Sequence, residues 1–497
     1  MDNVLNIIKD RTLTYHQKVI NLAQEAVNSL NVLNLPTETK EYMEEGIVCG
    51  LFEGDAVYKP RYPLPDYEKF MKNGSKFLQL DPPKDIWEAT NNLLILYHHV
   101  PSVTTFPVYA GNLDYLLEPF IENEEEAYRA IKFFLLHIDR TIRSSYCHVN
   151  IGPRPTKAGR IILQIERELQ AATPSITLKY SEETPDDYAL DAINTALITA
   201  KPSFANHSMF VHDYGEDYGV ASCYNGLRIG GGGYTLVRLN LALLAKKADN
   251  IDDFLNHVLP EGVKRMLPLM DERIRFLVEE SGFFETSFLV QEGLISRDRF
   301  SGMFGMFGLA ECVNHLLKAE KAEDRFGHSD EADQLGYKII ECLDKEVKNH
   351  KNKYCEGTEG HYVLHAQVGI ASDTGFSPGC RIPIGEEPDL PEHILRSAPL
   401  HKFFPSGISD VFSFDYTVKQ NPEYILDIIK GAFKENMRYF PFYSSDSDVV
   451  RITGYLAKRS ELEKLDQGSA VLVDNVIWGL GAAKNQKALH RKVRKHG

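Results

Sequence analysis

The spacing of hydrophobic and polar positions along this 497-residue chain changes period several times. Residues 3 to 50 repeat apolar side chains at spacings near three and four (Leu5, Ile8, Val19, Leu22, Ala23), which predicts helix. Pro60, Pro63, Pro65, Pro82 and Pro83 then mark an irregular connection. Helices are predicted over 86–97 and over 123–142, the second acidic at its start, as the helix dipole favours. From about Thr156, helical patterns at 159–172 and 185–200 alternate with short apolar runs at 176–180 and 208–211. Such alternation predicts an α/β sheet with parallel strands. Further helices are expected near 234–247, 251–281, 302–319, 328–349 and 421–435, with strands near 361–371, 437–443 and 470–478. No internal repeat interrupts this order. The Pro- and Gly-rich stretch 377–407 is long for a connection, and loops of that length often line active sites.

Composition narrows the class. With 43 % hydrophobic and 25 % charged residues the chain reads as a soluble globular protein. Its length suits one large α/β barrel-type domain or two to three smaller ones. A net charge of −15 argues against a nucleic-acid binder, because phosphates call for a basic surface. One basic block exists, in Lys484, Lys487, Arg491, Lys492, Arg494 and Lys495. A solvated tail is expected there, with docking to an acidic partner as the alternative. The N-terminus carries no signal-peptide pattern, and no apolar run reaches the length of a membrane span. The seven cysteines are scattered, without a C-x-x-C pair. Reduced thiols and a cytoplasmic location are expected.

The candidate chemistry begins at Val449-Val450-Arg451-Ile452-Thr453-Gly454-Tyr455-Leu456-Ala457. A single glycine follows a β-branched run and precedes a charged helical segment. One reading is a strand that stops at a turn, glycine supplying a positive φ. The other comes from a resemblance: an apolar pair followed by Arg451, Ile452, Thr453, Gly454 and Tyr455 resembles the signature of glycyl radical enzymes, in which glycine's missing Cβ matters. A Cα-centred radical is stabilised by delocalisation into the flanking amides, which needs a flattened Cα that a side chain would crowd. Gly454 is then a candidate for a stored radical, provided a second residue can use it. Cys223, in Gly219-Val220-Ala221-Ser222-Cys223-Tyr224-Asn225-Gly226-Leu227-Arg228-Ile229, is the best such residue, although cysteine alone is often a small buried hydrophobe. Four glycines, Gly230 to Gly233, follow. They meet neither nucleotide-binding pattern. A permissive loop seating Cys223 is expected, and anion binding at the start of a helix is the alternative.

These segments resemble the signatures of glycyl radical enzymes, and the wider pattern resembles their YjjI family, related to anaerobic ribonucleotide reductase and pyruvate formate-lyase-type enzymes. The residues that carry the likeness are Tyr97 to Thr104, Cys223 to Gly226 with Ile229 to Tyr234, Gly308 to Cys312 and Arg451 to Tyr455, so it spans nearly all of the chain. Thr453 departs from the Cys, Ser or Ala usual in the family. The resemblance implies an α/β fold with a ten-stranded barrel of two five-stranded half-sheets, surrounded by helices, the cysteine and glycine loops meeting inside. The corresponding division is a mainly helical part (1–155), the barrel with the cysteine loop (156–440), the glycyl loop with a C-terminal strand (441–480) and the basic tail (481–497). It also implies a homodimer, no permanently bound cofactor, and a separate radical S-adenosylmethionine activase with an iron–sulfur cluster. That activase would take hydrogen from Gly454, and Cys223 would relay the radical as a thiyl to a small-molecule substrate under anaerobic conditions.

Departures bear on the reaction. Ser222 precedes Cys223, whereas acyl-transferring relatives use adjacent cysteines. Asn225 stands where diol dehydratases and decarboxylases of this class place a glutamate base, and it cannot accept a proton in that role. The C-terminal four-cysteine zinc site of anaerobic ribonucleotide reductases is missing. Asn225 and His365 are candidate substrate contacts and Cys380 a candidate second thiol. His361 and His365 would share one face of a helix or a strand, with Gln367 beside them, as polar lining rather than as a metal site. Cys147-His148 looks like half a metal site without a second half, and Asp213, Glu216 and Asp410 are possible acid/base groups. Two other classes stay open: a radical-bearing accessory or repair protein, and a radical-free metabolite-binding protein. A ribonucleotide reductase-like enzyme is the alternative reaction.

Overall fold

The computed structural model describes residues 2–366, 373, 375–485 and 487–495. Two sheets with helices packed on them form its interior. In the first, the long strand Gly231–Asn240 runs parallel to Phe300–Phe307, which runs parallel to Val363–Ala366. The other edge of Gly231–Asn240 pairs antiparallel with Tyr62–Leu64 and with Val48–Cys49. In the second sheet, His148–Ile151, Ser175–Tyr180 and Ser203–Asn206 are parallel neighbours, and Tyr439–Phe440 closes the edge antiparallel. A smaller sheet joins Phe412–Phe414 to Phe442–Ser444 and to Val493–Arg494, both parallel. Parallel strands need long crossovers, and helices such as Lys157–Leu169 and Asp186–Thr199 provide them.

Local signals explain the helix boundaries. Asp85, Asn123 and Thr156 each accept a backbone N–H from the first turn of the helix that follows, satisfying donors that lack an intrahelical partner. Helices Ile86–Tyr97, Glu124–Thr141, Asp330–Asn349 and Pro422–Lys434 coincide closely with the apolar spacing.

Four segments differ from the expectation. Residues 234–247 are the end of strand Gly231–Asn240 and a short helix, Leu241–Ala245. The region 302–319 divides into strand Phe300–Phe307 and helix Leu309–Leu317. Both strands are buried along their whole length, so they read as continuous apolar runs that periodicity cannot tell from helix. The apolar run at 208–211 lies inside helix His207–Tyr214, and its strand is the preceding Ser203–Asn206. The stretch 470–478 contains no strand; helix Asn475–Asn485 begins in it. Of the strand expected over 361–371, residues 363–366 are strand, while Gln367 and its successors to 371 lie outside the described residues.

The glycine run belongs to the sheet, not to a loop at the start of a helix. A Cβ on Gly232 would stand 1.9 Å from the Tyr62 carbonyl oxygen, and its φ of +145° also disfavours any other residue. The glycines therefore let the Tyr62–Leu64 edge strand approach. The tail also departs from the solvated expectation. Arg491 and Arg494 are buried, because their guanidinium groups reach carbonyl oxygens inside the protein.

Candidate active site

Cys223 sits at the tip of an antiparallel hairpin formed by Tyr218–Ala221 and Asn225–Arg228. The tip begins with Ser222 at φ 57°, a left-handed conformation that is unfavourable for a residue with a side chain. Neighbouring groups hold it there. The Ser222 N–H donates to the Val108 carbonyl at 2.8 Å, and its carbonyl accepts from His148 Nδ1 at 2.7 Å. Because a carbonyl only accepts, Nδ1 carries the proton. Nε2 then accepts from Thr177 Oγ1 at 2.7 Å, and Thr177 lies 2.7 Å from the Tyr439 hydroxyl. Burial lowers the His148 pKa to about 3, which keeps the ring neutral in this relay. Two residues along the same strand, Asn150 donates to the Val220 carbonyl and accepts the Val220 N–H, each at 2.8 Å. Side chains two apart share a strand face, so one strand fixes the whole hairpin.

Gly454 occupies a second hairpin, in which Val449–Arg451 pairs antiparallel with Leu456–Lys458. Ile452, Thr453 and Tyr455 in the connection are fully buried. The fully buried Arg451 side chain turns back, donating through Nε to the Ala200 carbonyl at 3.0 Å and through Nη1 to the Gly454 carbonyl at 3.4 Å. Burial lowers the Arg451 pKa from its usual value. From the C-terminal tail, Arg491 donates to the carbonyls of Arg451, at 2.9 Å, and of Ile452.

The two hairpins meet at the glycine. A Cβ built on Gly454 would stand 2.3 Å from Cys223 Cβ, 2.9 Å from Cys223 Sγ and 2.9 Å from Tyr224 Cε1. Gly454 is not among the glycines with positive φ, so a turn conformation does not account for it; the close approach of Cys223 does. The Cys223 thiol is buried, and burial pushes its pKa up to about 12, the Ser222 hydroxyl and the charge of Arg451 opposing the rise. The sulfur therefore keeps its hydrogen at neutral pH.

Beside the thiol lies a cavity of about 10 Å³, lined by Cys223, Asn225, His365, Arg61, Tyr62 and Tyr146 among others. That volume is about one water molecule. Asn225 Nδ2 donates to the Ala221 carbonyl at 3.0 Å, while its Oδ1 is buried without a partner among the described residues. The His365 ring stacks on Tyr224, with centroids 5.6 Å apart, and Nδ1 donates to the Ser406 carbonyl at 3.1 Å. Burial lowers its pKa to about 3, so the imidazole is neutral. Cys380 lines a different small cavity, its Sγ 3.7 Å from Met306 Sδ. Burial holds this thiol well above its ordinary pKa too.

Other candidates lie in ion pairs or apart from the thiol. Asp213 pairs with Arg438 at 2.6 Å, Glu216 approaches His207 at 3.7 Å and Asp410 approaches His393 at 3.3 Å. His361 accepts from Lys351 at 2.6 Å. Among the described residues no group of three or more His, Cys, Asp or Glu side chains is arranged to hold a metal ion, and no helix is long and apolar enough to cross a membrane. Asn150 and Arg61 were not singled out in the sequence, Arg491 was expected in a solvated tail, and Cys147-His148 was noted as half a metal site without a second half. Polar residues two apart in the apolar run Val149 to Ile151 were the available signal for an inward polar face.

A family model described as glycyl radical enzyme YjjI-like matches residues 13–494, and the chain belongs to that family. An uncharacterized protein of Haemophilus influenzae is 45 % identical over 501 residues, covering 99 % of this chain and 98 % of that one. The uncharacterized protein YjjI of Escherichia coli is 44 % identical over 496 residues, covering 98 % and 95 %. Among solved structures, the anaerobic ribonucleotide reductase of Thermotoga maritima in complex with dATP and CTP superposes with a TM-score of 0.71 at 12 % identity, covering 93 % of this chain and 92 % of that chain. Hydroxyproline dehydratase from Clostridioides difficile, with trans-4-hydroxy-L-proline bound, has a TM-score of 0.69 at 12 % identity, covering 99 % and 88 %. The mixed α/β fold is therefore similar to that of glycyl radical enzymes, some of which are reductases and others dehydratases.

Proposed function

We propose that Gly454 stores a radical which Cys223 relays to a small-molecule substrate brought against the thiol. The contact between Gly454 and the Cys223 side chain carries this reading. A radical S-adenosylmethionine activase, a separate protein, would remove one hydrogen atom from the Gly454 Cα. The glycyl radical then takes the hydrogen atom from Cys223 Sγ, restoring the glycine and leaving a thiyl. The thiyl takes a hydrogen atom from a substrate carbon, which becomes the radical that rearranges, eliminates or fragments. The product radical recovers a hydrogen atom from the thiol, and the thiyl returns to Gly454. No net oxidant is consumed in this cycle.

Hydrogen-atom transfer needs a protonated thiol, not the thiolate that nucleophilic cysteines use, and a pKa near 12 supplies it. The space beside the thiol has room for about one water molecule, which limits the access of water to the intermediates. We read the two main sheets, of five and four strands, as the larger part of a barrel of the ten-stranded kind around both hairpins, and the working protein as a cytoplasmic homodimer. Asn225 Oδ1 and the neutral His365 imidazole are the groups poised to contact substrate. With Asn225 in place of a glutamate base and Ser222 before the cysteine, the reaction is read as neither a typical diol dehydration nor an acyl transfer. Cys380, in its own cavity beside Met306, is kept as a possible second thiol. A pure repair role is not favoured, since the chain carries its own cysteine hairpin against the glycine.

Anaerobic activation followed by electron paramagnetic resonance tests the relay. The expected result is a glycyl signal absent from Gly454→Ala. Absence of any signal, with an activase demonstrated to cleave S-adenosylmethionine, overturns the proposal.

A further inference from the structure

We propose that Arg381 forms an oxyanion subsite beside the Cys223 cavity, so that the enzyme takes small substrates bearing a carboxylate or phosphate group. This rests on the relay reading above and adds the substrate class. Arg381 is 5 % exposed. Its Nε donates to the Ser409 carbonyl at 2.6 Å, while Nη1 and Nη2 are buried with no hydrogen-bond partner among the described residues. The Asp410 carboxylate lies within electrostatic reach of this guanidinium but makes no hydrogen bond to it, and buried donors without acceptors are costly to a fold. A ligand that pairs with them accounts for their retention.

The charges around Arg381 are mixed. Arg381 lines a small cavity together with Ala366, Cys380, Ser409, Asp410 and His401. The carboxylate in that cavity, Asp410, faces His393 at 3.3 Å. Burial would raise the Asp410 pKa, but His393, Arg381 and His401 hold it down at about 2. The Arg381 charge also reaches the Cys223 thiol.

Only a thin wall separates this cavity from the thiol. The Ala366 carbonyl accepts the Tyr224 hydroxyl at 2.8 Å, and Tyr224 is the residue after Cys223, its ring stacked on His365. A substrate whose carbon faces Sγ would extend its anionic end past this wall. The two free nitrogens of a guanidinium offer the fork geometry that matches a carboxylate or a phosphate. The cavity holds about one water molecule, so an oxyanion enters only if the surrounding loop parts.

Isothermal titration calorimetry on the full, non-activated protein under anaerobic conditions tests this with inorganic phosphate, acetate and neutral glycerol. Saturable binding of phosphate or of acetate is expected, and which of them binds tells a phosphate ester from a carboxylic acid. Affinity should fall about a hundredfold in Arg381→Gln and about tenfold in Arg381→Lys, which keeps the charge but loses the fork. Should the glutamine variant fail to fold, the lysine variant decides. Failure of both anions to bind saturably, or binding in the folded variants within twofold of wild type, overturns the subsite. A glycyl signal measured after activating a portion of each preparation separates this outcome from failure of the relay.

Discussion

Cys223 fills the space that a side chain on Gly454 would need: a Cβ there would overlap Cys223 Cβ at 2.3 Å. The two residues belong to hairpins far apart in the chain, and each hairpin is pinned by its own buried polar contacts. This contact predicts two separable defects in Gly454→Ala. The extra methyl overpacks the junction and should destabilise the protein by about 1–3 kcal/mol. The glycyl signal should also vanish after activation. A melting curve and an electron paramagnetic resonance spectrum from the same preparation check both.

Replacing Cys223 with serine should separate storage from use. The radical on Gly454 should form to the wild-type extent, because hydrogen removal from the glycine does not involve the thiol. Turnover should disappear, since an O–H bond is too strong for the glycyl radical to break. An activated-enzyme screen against a metabolite extract, with spin quantified in parallel, measures both. Metabolite consumption equal to wild type in Cys223→Ser would remove the thiyl from the mechanism.

Arg491 ties the C-terminal tail to the glycyl hairpin through the carbonyls of Arg451 and Ile452. Arg491→Ala leaves those acceptors without their partner, at a cost of about 1–3 kcal/mol for each one that water cannot reach. Hydrogen exchange read by mass spectrometry should speed up in the peptide spanning 449–458. Unchanged exchange there would mean that the tail does not hold the hairpin.

Three buried histidines should make stability fall in mild acid. His148, His365 and His401 all have pKa values lowered to about 3, chiefly by burial. Their folded forms stay neutral while the unfolded chain takes up protons. The stability they allow is present above the unfolded pKa near 6.5 and is lost as pH falls toward 3. Each should remove up to about 2 kcal/mol between pH 6.5 and 5. Denaturant unfolding at pH 7 and pH 5 reads the sum, and His148→Gln should show a shallower dependence. Equal stability at the two pH values contradicts neutral burial.

The protonated thiol gives a further check. With its pKa near 12, Cys223 holds only about one part in ten thousand as thiolate at pH 8. Iodoacetamide should leave Cys223 unmodified in the folded protein and alkylate it after denaturation, as peptide mapping would record. Rapid alkylation of the native protein would contradict a buried, neutral thiol.

The sequence alone determined which residues are special and where most helices lie. Gly454 in its β-branched run and Cys223 between short apolar segments were legible as candidates, because the proposed radical storage and relay call for those residue types. Helices such as Asp330–Asn349 were legible because one face meets the core and the other meets water, which writes a period into the chain. Strands Gly231–Asn240 and Phe300–Phe307 are buried on both faces, and that burial erased the period that would have marked them as strands. Only the tertiary structure decided that Gly454 is needed for close approach rather than for a turn. It alone assigned His148 to the Ser222 carbonyl, and it brought Arg491 in from a tail that composition marks as solvated. The reason is physical: these roles depend on contacts between segments distant in sequence, and such contacts leave no periodic trace in either segment.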